Sequence, residues 1–349
     1  MGQSRGHETG HREESHVGDA FTWREYVDAL RDELGGWADL ANALEERAPG
    51  DVPEGPDSVV KALKRLANRR HKPGGRYGSL LLKVFGLPPS IKEWGRLMGQ
   101  YHSRFADLPV GLRRQQLLRW DRPPVSESPA AAWVHLGLAS LAHRDRDLPE
   151  AKRRLSLAAD VRKPEPATQL EHALLTARIA SDEHRREDEA AAVRQAEALI
   201  QNDGLTRSDR LCFLARIADQ RAYRVSRTWR SDPSVLTHAL ALYEAIPFED
   251  VPPFVSFRRE LGIGWCLWRQ GDAATAMDHA RRAHDHAGDG GFVRLRVMAL
   301  NLMAGIADER SDEGAFRARA RVLAQGLDDA DLSARLRVHR TGMDVASTP

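Results

Sequence analysis

Cysteine is nearly absent: Cys212 and Cys266 stand far apart, with neither a CxxC nor a Cys/His partner at metal-ligand spacing. Neither a disulfide framework nor a structural zinc site is suggested, and a reducing cytoplasm fits. No run approaches the ~18 apolar residues of a membrane span, and the opening MGQSRGHETGHREESHVGD lacks the apolar centre of a signal peptide. Also missing are GxxxxGK[ST], a GxGxxG after a strand, GxSxG and HExxH, which argues against an enzyme and against a bound cofactor. Paired carboxylates occur only in charge runs such as HRREDE, a solvated surface pattern. His279, His284 and His286 with Asp285 sit at spacings that do not converge on a helix face, so no metal site is expected. Charge of one sign is lacking too: 52 Lys+Arg against 50 Asp+Glu leave a net +2. Any nucleic-acid footprint is therefore local. Lysine is scarce, with only seven among the 52 basic residues, a skew common in GC-rich genomes.

What is present is helical periodicity. With 349 residues and an apolar fraction of 42%, the chain has room for two or three domains and a substantial core. Residues 1–19, with His7, His11 and His16 among Gly, Glu and Ser, read as a disordered tail. Trp23, Tyr26, Val27, Leu30 and Leu34 then repeat at three and four residues until Gly35-Gly36, and Leu40, Ala41 and Leu44 mark a second short helix. A third helix is expected from Pro56 or Asp57 to the break at Pro73-Gly74-Gly75, and a fourth carries Tyr77, Leu80, Leu81 and Val84 inward.

Five of the seven lysines (Lys61, Lys64, Lys72, Lys83 and Lys92) fall in and just after the stretch Asp57 to Pro88. In the expected third helix Val59, Val60, Leu63, Leu66 and Ala67 form the buried side. Lys61, Lys64, Arg65, Asn68, Arg69 and Lys72 form the other, followed by Arg70 and Arg76. Duplex phosphates reward a row of cations, and base edges in the major groove need long donors from one helix face. Lys61, Arg65, Asn68 and Lys72, spaced four, three and four, satisfy that geometry on a continuous helix. A solvated basic face is the plain alternative.

The order of helix, short helix and basic helix, with RRHKPGGRYGSLLLKVFGLP, resembles the Cro/repressor-type (Xre) helix-turn-helix domain over about Thr22 to Pro89. The resemblance implies that the third helix enters the major groove and a Leu-rich helix closes the core. The connection APGDVPEG is longer than usual in that family, and Trp37-Ala38-Asp39 stands where a phosphate-contacting Gln is frequent. Residues 20–89 thus read as a four-to-five-helix DNA-binding domain, 90–128 as a helical connector ending in the hinge-like WDRPPVSESP, and 129–349 as paired amphipathic helices.

The best pair has Ile263-Gly264, Leu267, Gly271-Asp272, Ala276, Ala280 and Ala283, spacings that resemble the tetratricopeptide (TPR) repeat. First helices are expected near residues 129, 167, 206, 253, 291 and 328. The expected fold is all-α, with a right-handed TPR-like solenoid whose groove takes a peptide or protein partner. Repeat phase nominates Arg221, Arg224, Arg258, Trp265 and Asn301 as groove residues. The whole resembles the peptide-responsive regulators of the RRNPP group, which implies a homodimer. A TPR adaptor that does not bind DNA and a peptide-controlled inhibitor of another protein stay open beside it.

Overall fold

The computed structural model describes residues 20–52 and 55–338, and every regular element among them is helical. Residues 1–19, with the expected histidine-bearing tail, and 339–349 lie outside the described residues. Helix α1 (Trp23–Leu34) starts with a capping box: Thr22 Oγ1 accepts from Glu25 N at 3.2 Å while the Glu25 carboxylate accepts from Thr22 N at 2.7 Å. It ends at Gly35, whose φ of 102° suits a residue without Cβ. Next come α2 (Trp37–Arg47), α3 (Pro56–Ala67), α4 (Gly75–Val84) and α5 (Pro89–Gly99). Trp23, Tyr26, Leu40, Leu44, Leu63 and Leu81, all fully buried, are the centre of this N-terminal group.

Helix α3 is shorter than its sequence suggests. It stops at Ala67 because the following turn is held from outside: Trp23 N donates to Arg70 O at 3.1 Å and Trp23 Nε1 to Lys72 O at 3.0 Å. Arg70 takes a left-handed φ of 53°, through which a right-handed helix cannot continue. Lys72, beyond the left-handed Arg70, is therefore not on a helical stripe with Lys61 and Arg65, while Asn68 caps the helix end.

The connector is not a hinge. Helix α6 (Val110–Trp120) delivers Trp120 onto Trp94 at 3.8 Å between ring centroids, and Phe21 stacks on Trp120 at 6.5 Å. In the proline-rich segment after it, Val125 is 1% exposed, Pro123 O lies 3.0 Å from His71 Nδ1, and the Glu127 carboxylate accepts from Gly74 N at 3.1 Å. One core cluster joins Trp23 and Leu63 to Leu117, Val125, Val134 and Leu141. The prolines break the helix, as expected, but packing on both sides fixes the segment.

The remainder is a row of helical hairpins. Helices α7 (Ala131–Arg144), α9 (Pro166–Asp182), α11 (Arg207–Ser226), α13 (Pro253–Gln270) and α15 (Val293–Ile306) each pack on the next. Their partners are α8 (Leu148–Ala159), α10 (Arg186–Leu199), α12 (Val235–Glu244), α14 (Ala273–Asp289) and α16 (Arg310–Gln325). Close approach in the α13/α14 pair uses small residues: Ala276, Ala280 and Ala283 are fully buried, and a Cβ at Gly264 would lie 3.1 Å from Ala276 O. A final helix, α17 (Ala330–Val338), packs on α7 and so brings the end of the row back to its start. Val110 N donates to Leu327 O at 3.0 Å, and Arg144 reaches Asp329 at 3.9 Å. The inner helices thus form a closed ring.

Candidate functional site

Two polar features stand out, one on the surface and one inside the ring. The surface feature occupies α3, the turn after it and the start of α4. Lys61, Lys64, Arg65, Arg69, Arg70, Lys72 and Arg76 are all exposed, and none forms an ion pair with a carboxylate among the described residues. Their contacts are neutral: Arg69 Nη1 donates to Pro73 O at 2.5 Å, Arg76 Nη2 to Asp51 O at 2.6 Å, and the Lys64 ammonium lies 5.5 Å from the Trp37 ring centre. Arg65, Arg69 and Arg76 flank a notch of about 370 Å³ shared with Ser58 and Tyr77. Asn68 differs from the other DNA candidates. Its Oδ1 accepts from Arg24 Nη2 at 2.7 Å and its Nδ2 donates to Lys64 O at 3.1 Å, so the amide holds the helix end.

The interior feature is built by the inner helices. Tyr101, just beyond α5, projects its hydroxyl to Arg258 Nη2 at 2.9 Å and Arg294 Nη1 at 3.0 Å. The Arg216 guanidinium sits 4.9 Å above the same ring and holds Glu171 through two bonds of 2.6 and 2.8 Å. Arg258 also binds Asp219 at 3.0 Å, while Arg294 binds Asp329 at 2.9 Å. Burial raises the Tyr101 phenol, but Arg258, Arg294, Arg144 and Arg216 outweigh it and bring the group down to about 8. Arg144 and Arg335 are held below the ordinary arginine range, first by burial and then by the cations beside them.

The five groove candidates are not brought together. Arg258 lies in this interior cluster, 4% exposed. Arg221 and Arg224 line a separate notch of about 290 Å³ with Arg186, His238 and Leu242, and Arg221 meets Glu197 at 3.4 Å. Trp265 belongs to a third place, where the Arg269 guanidinium lies 5.7 Å from its ring, 4.0 Å from Trp268 and 4.8 Å from Trp229. Asn301 is half-buried on α15. Among the described residues, Tyr101 and the ion pairs between inner helices occupy much of the inner face.

Tyr101, Arg144, Glu171, Arg216 and Arg294 were not nominated from the sequence. Their signal was available: each interior charge interrupts the apolar stripe of an inner helix, as Arg258 does in PFVSFRRELG and Arg294 in VRLRVMALNL. No three or more His, Cys, Asp or Glu side chains are placed to hold a metal among the described residues. Instead, His279 Nδ1 lies 2.7 Å from Glu260, which also accepts from Arg282. No helix of the described residues is long and apolar enough to cross a membrane. In comparisons with protein-family models, curated proteins and solved structures, nothing matches this chain.

Proposed function

We propose that the chain is a transcriptional regulator in which α1–α4 act as a helix-turn-helix unit and α7–α17 as a right-handed TPR-like sensor array. The observation that carries this reading is the set of seven exposed cations around α3, none in an ion pair with a carboxylate among the described residues, although Asp51 lies near Arg76. Elsewhere the surface arginines are frequently paired, as in Arg153 with Glu150 and Arg207 with Asp250. Unpaired cations repel one another in the free protein, and a phosphate backbone relieves that repulsion while releasing counterions. Lys61, Lys64 and Arg65 supply the long donors that reach base edges, while Arg69, Arg70, Lys72 and Arg76 grip the backbone. A two-fold dimer sets two such edges one helical turn apart on pseudo-palindromic DNA. The peptide or protein partner engages the notch at Arg221 and Arg224, since much of the inner face is occupied.

The test is binding of the full-length chain to a pool of duplex DNA at several salt concentrations. Full length is required because the N-terminal helices share their core with residues up to Leu141. The expected result is salt-dependent binding that the double substitution Lys61→Glu, Arg65→Glu abolishes. Affinity that survives this substitution removes the reading.

Two observations favour a second reading, a TPR adaptor that binds no DNA. The Asn68 amide is occupied, and eight residues (48–55) separate α2 from α3, where a DNA-binding pair is tighter. On that reading the basic edge docks an acidic protein. Polyglutamate then competes for the edge while duplex DNA does not bind.

A further inference from the structure

The start of α1 is fixed against the end of α3. Trp23 N donates to Arg70 O at 3.1 Å, Arg24 Nη2 donates to Asn68 Oδ1 at 2.7 Å, and Phe21 is held by stacking on Trp120. The chain before Ala20 therefore joins the described fold at the Arg70 end of the basic edge. From Arg70 back to Lys61 that edge is on the order of 15 Å long, at about 1.5 Å per helical residue. Residues 8–19, which lie outside the described residues, span roughly 40 Å when extended at about 3.3 Å each, so every cation of the edge is within their reach. Their charge is complementary: Glu8, Glu13, Glu14 and Asp19 stand against Arg12 alone. The described carboxylates beside the edge are already engaged. Asp51, near Arg76, pairs with the Lys83 ammonium at 2.9 Å, and Glu127 accepts from Gly74 N at 3.1 Å.

We infer that residues 8–19 lie along the α3 edge as an acidic cover, their carboxylates on Lys61, Arg65, Arg69 and Arg70, and that an anionic partner gains the edge by displacing them. Clustered cations without counter-charge repel one another. A carboxylate tethered within reach meets them at an effective concentration on the order of millimolar, and that tether favours the chain's own segment over an unrelated acidic protein. Glu13 and Glu14 are its densest negative charge. Exposed pairs are individually weak and are screened by salt, so the cover is reversible. The competition rests on the nucleic-acid reading of the edge; the contact itself does not.

The experiment is a spin-label distance measurement in the full chain. Cys212 and Cys266 are buried, so labels attach selectively at Ser15→Cys and Ser58→Cys, the second an exposed position on the notch it shares with Arg65. The expected result is a short-distance population at low salt that about 1 M salt removes, because the screening length then falls to about 3 Å. Glu13→Gln, Glu14→Gln and, separately, Lys61→Glu, Arg65→Glu are each expected to remove it at low salt, whereas dilution with unlabelled chain leaves it unchanged. In duplex titration, Glu13→Gln, Glu14→Gln is expected to tighten binding about threefold to tenfold, the release of two weak exposed pairs. A distance distribution that neither salt nor either variant alters overturns the inference. So does a short distance lost on dilution, which assigns the segment to a second copy. Duplex affinity unchanged in the glutamine variant overturns the competition. If no form binds duplex, the nucleic-acid reading fails while the distances still decide the contact.

Discussion

Replacing Gly78 by alanine tests whether Trp23 is as tightly held as its contacts imply. In an exposed helix interior this exchange normally stabilises by about 1 kcal/mol, because alanine has the better helix propensity. At Gly78 a Cβ would lie 2.8 and 2.9 Å from two Trp23 ring carbons. The ring has no room to retreat: it is 0% exposed, its Nε1 is bonded to Lys72 O at 3.0 Å, and Tyr26 packs 5.9 Å away. Overpacking of this kind costs about 1 to 3 kcal/mol. The clash therefore offsets or outweighs the propensity gain, and Gly78→Ala is expected to destabilise by up to about 2 kcal/mol rather than to stabilise. Gly314→Ala is the matched control, exposed in α16 with nothing within 4 Å of its Cβ position, and is expected to stabilise by about 1 kcal/mol. Urea denaturation followed by tryptophan fluorescence reads both. If Gly78→Ala stabilises as Gly314→Ala does, the account of Trp23 as the post that shortens α3 is wrong.

Three further outcomes follow from the interior cluster and its surroundings. Arg258→Met removes the guanidinium that holds Asp219 and the Tyr101 hydroxyl, and leaves a partly buried carboxylate short of a partner; a loss of about 3 to 5 kcal/mol in urea denaturation is expected, and a loss under about 1 would show the pair to be dispensable. Tyr101 releases its proton at about 8 when folded and at about 10 when unfolded. Between those values the unfolded chain binds one proton more, so stability rises with pH across that window and the rise vanishes in Tyr101→Phe; equal slopes in the two proteins would contradict the assignment. Gly99→Ala places a Cβ 2.3 Å from the Trp133 carbonyl oxygen, which belongs to a packed helix backbone. It is expected to cost more than Gly78→Ala in the same urea experiment, and a smaller cost would show that α5 can shift on α7.

Helical content was legible because apolar residues recur at three and four positions from Trp23 onward. The inner helices begin at residues 131, 166, 207, 253, 293 and 330, close to where turn residues placed them. The end of α3 was not legible. Sequence periodicity carries the basic stripe through Asn68 to Lys72, whereas the bonds from Trp23 to Arg70 O and Lys72 O are made across forty-odd residues and leave no local trace. The proline-rich segment after Trp120 misleads for a similar reason. Three prolines announce the absence of helix, but Val125 and Glu127 gain fixed positions only from partners in another part of the chain. Closure of the ring is the largest feature hidden from the sequence, since it depends on the summed rotation of successive hairpins. With it went the distinction between a residue facing an open groove and one, like Arg258, locked beneath Tyr101.

The most direct test of the central claim is the salt dependence of duplex binding by the full chain. Each phosphate neutralised contributes about −0.9 to the slope of log affinity against log salt, so four to seven contacts predict a slope of roughly −4 to −6. Alanine at Arg69, Arg70 or Lys72, the cations assigned to the phosphate backbone, is predicted to flatten that slope by about one unit each. A slope near zero, or one unchanged in all three variants, would contradict the assignment of the α3 edge to nucleic acid.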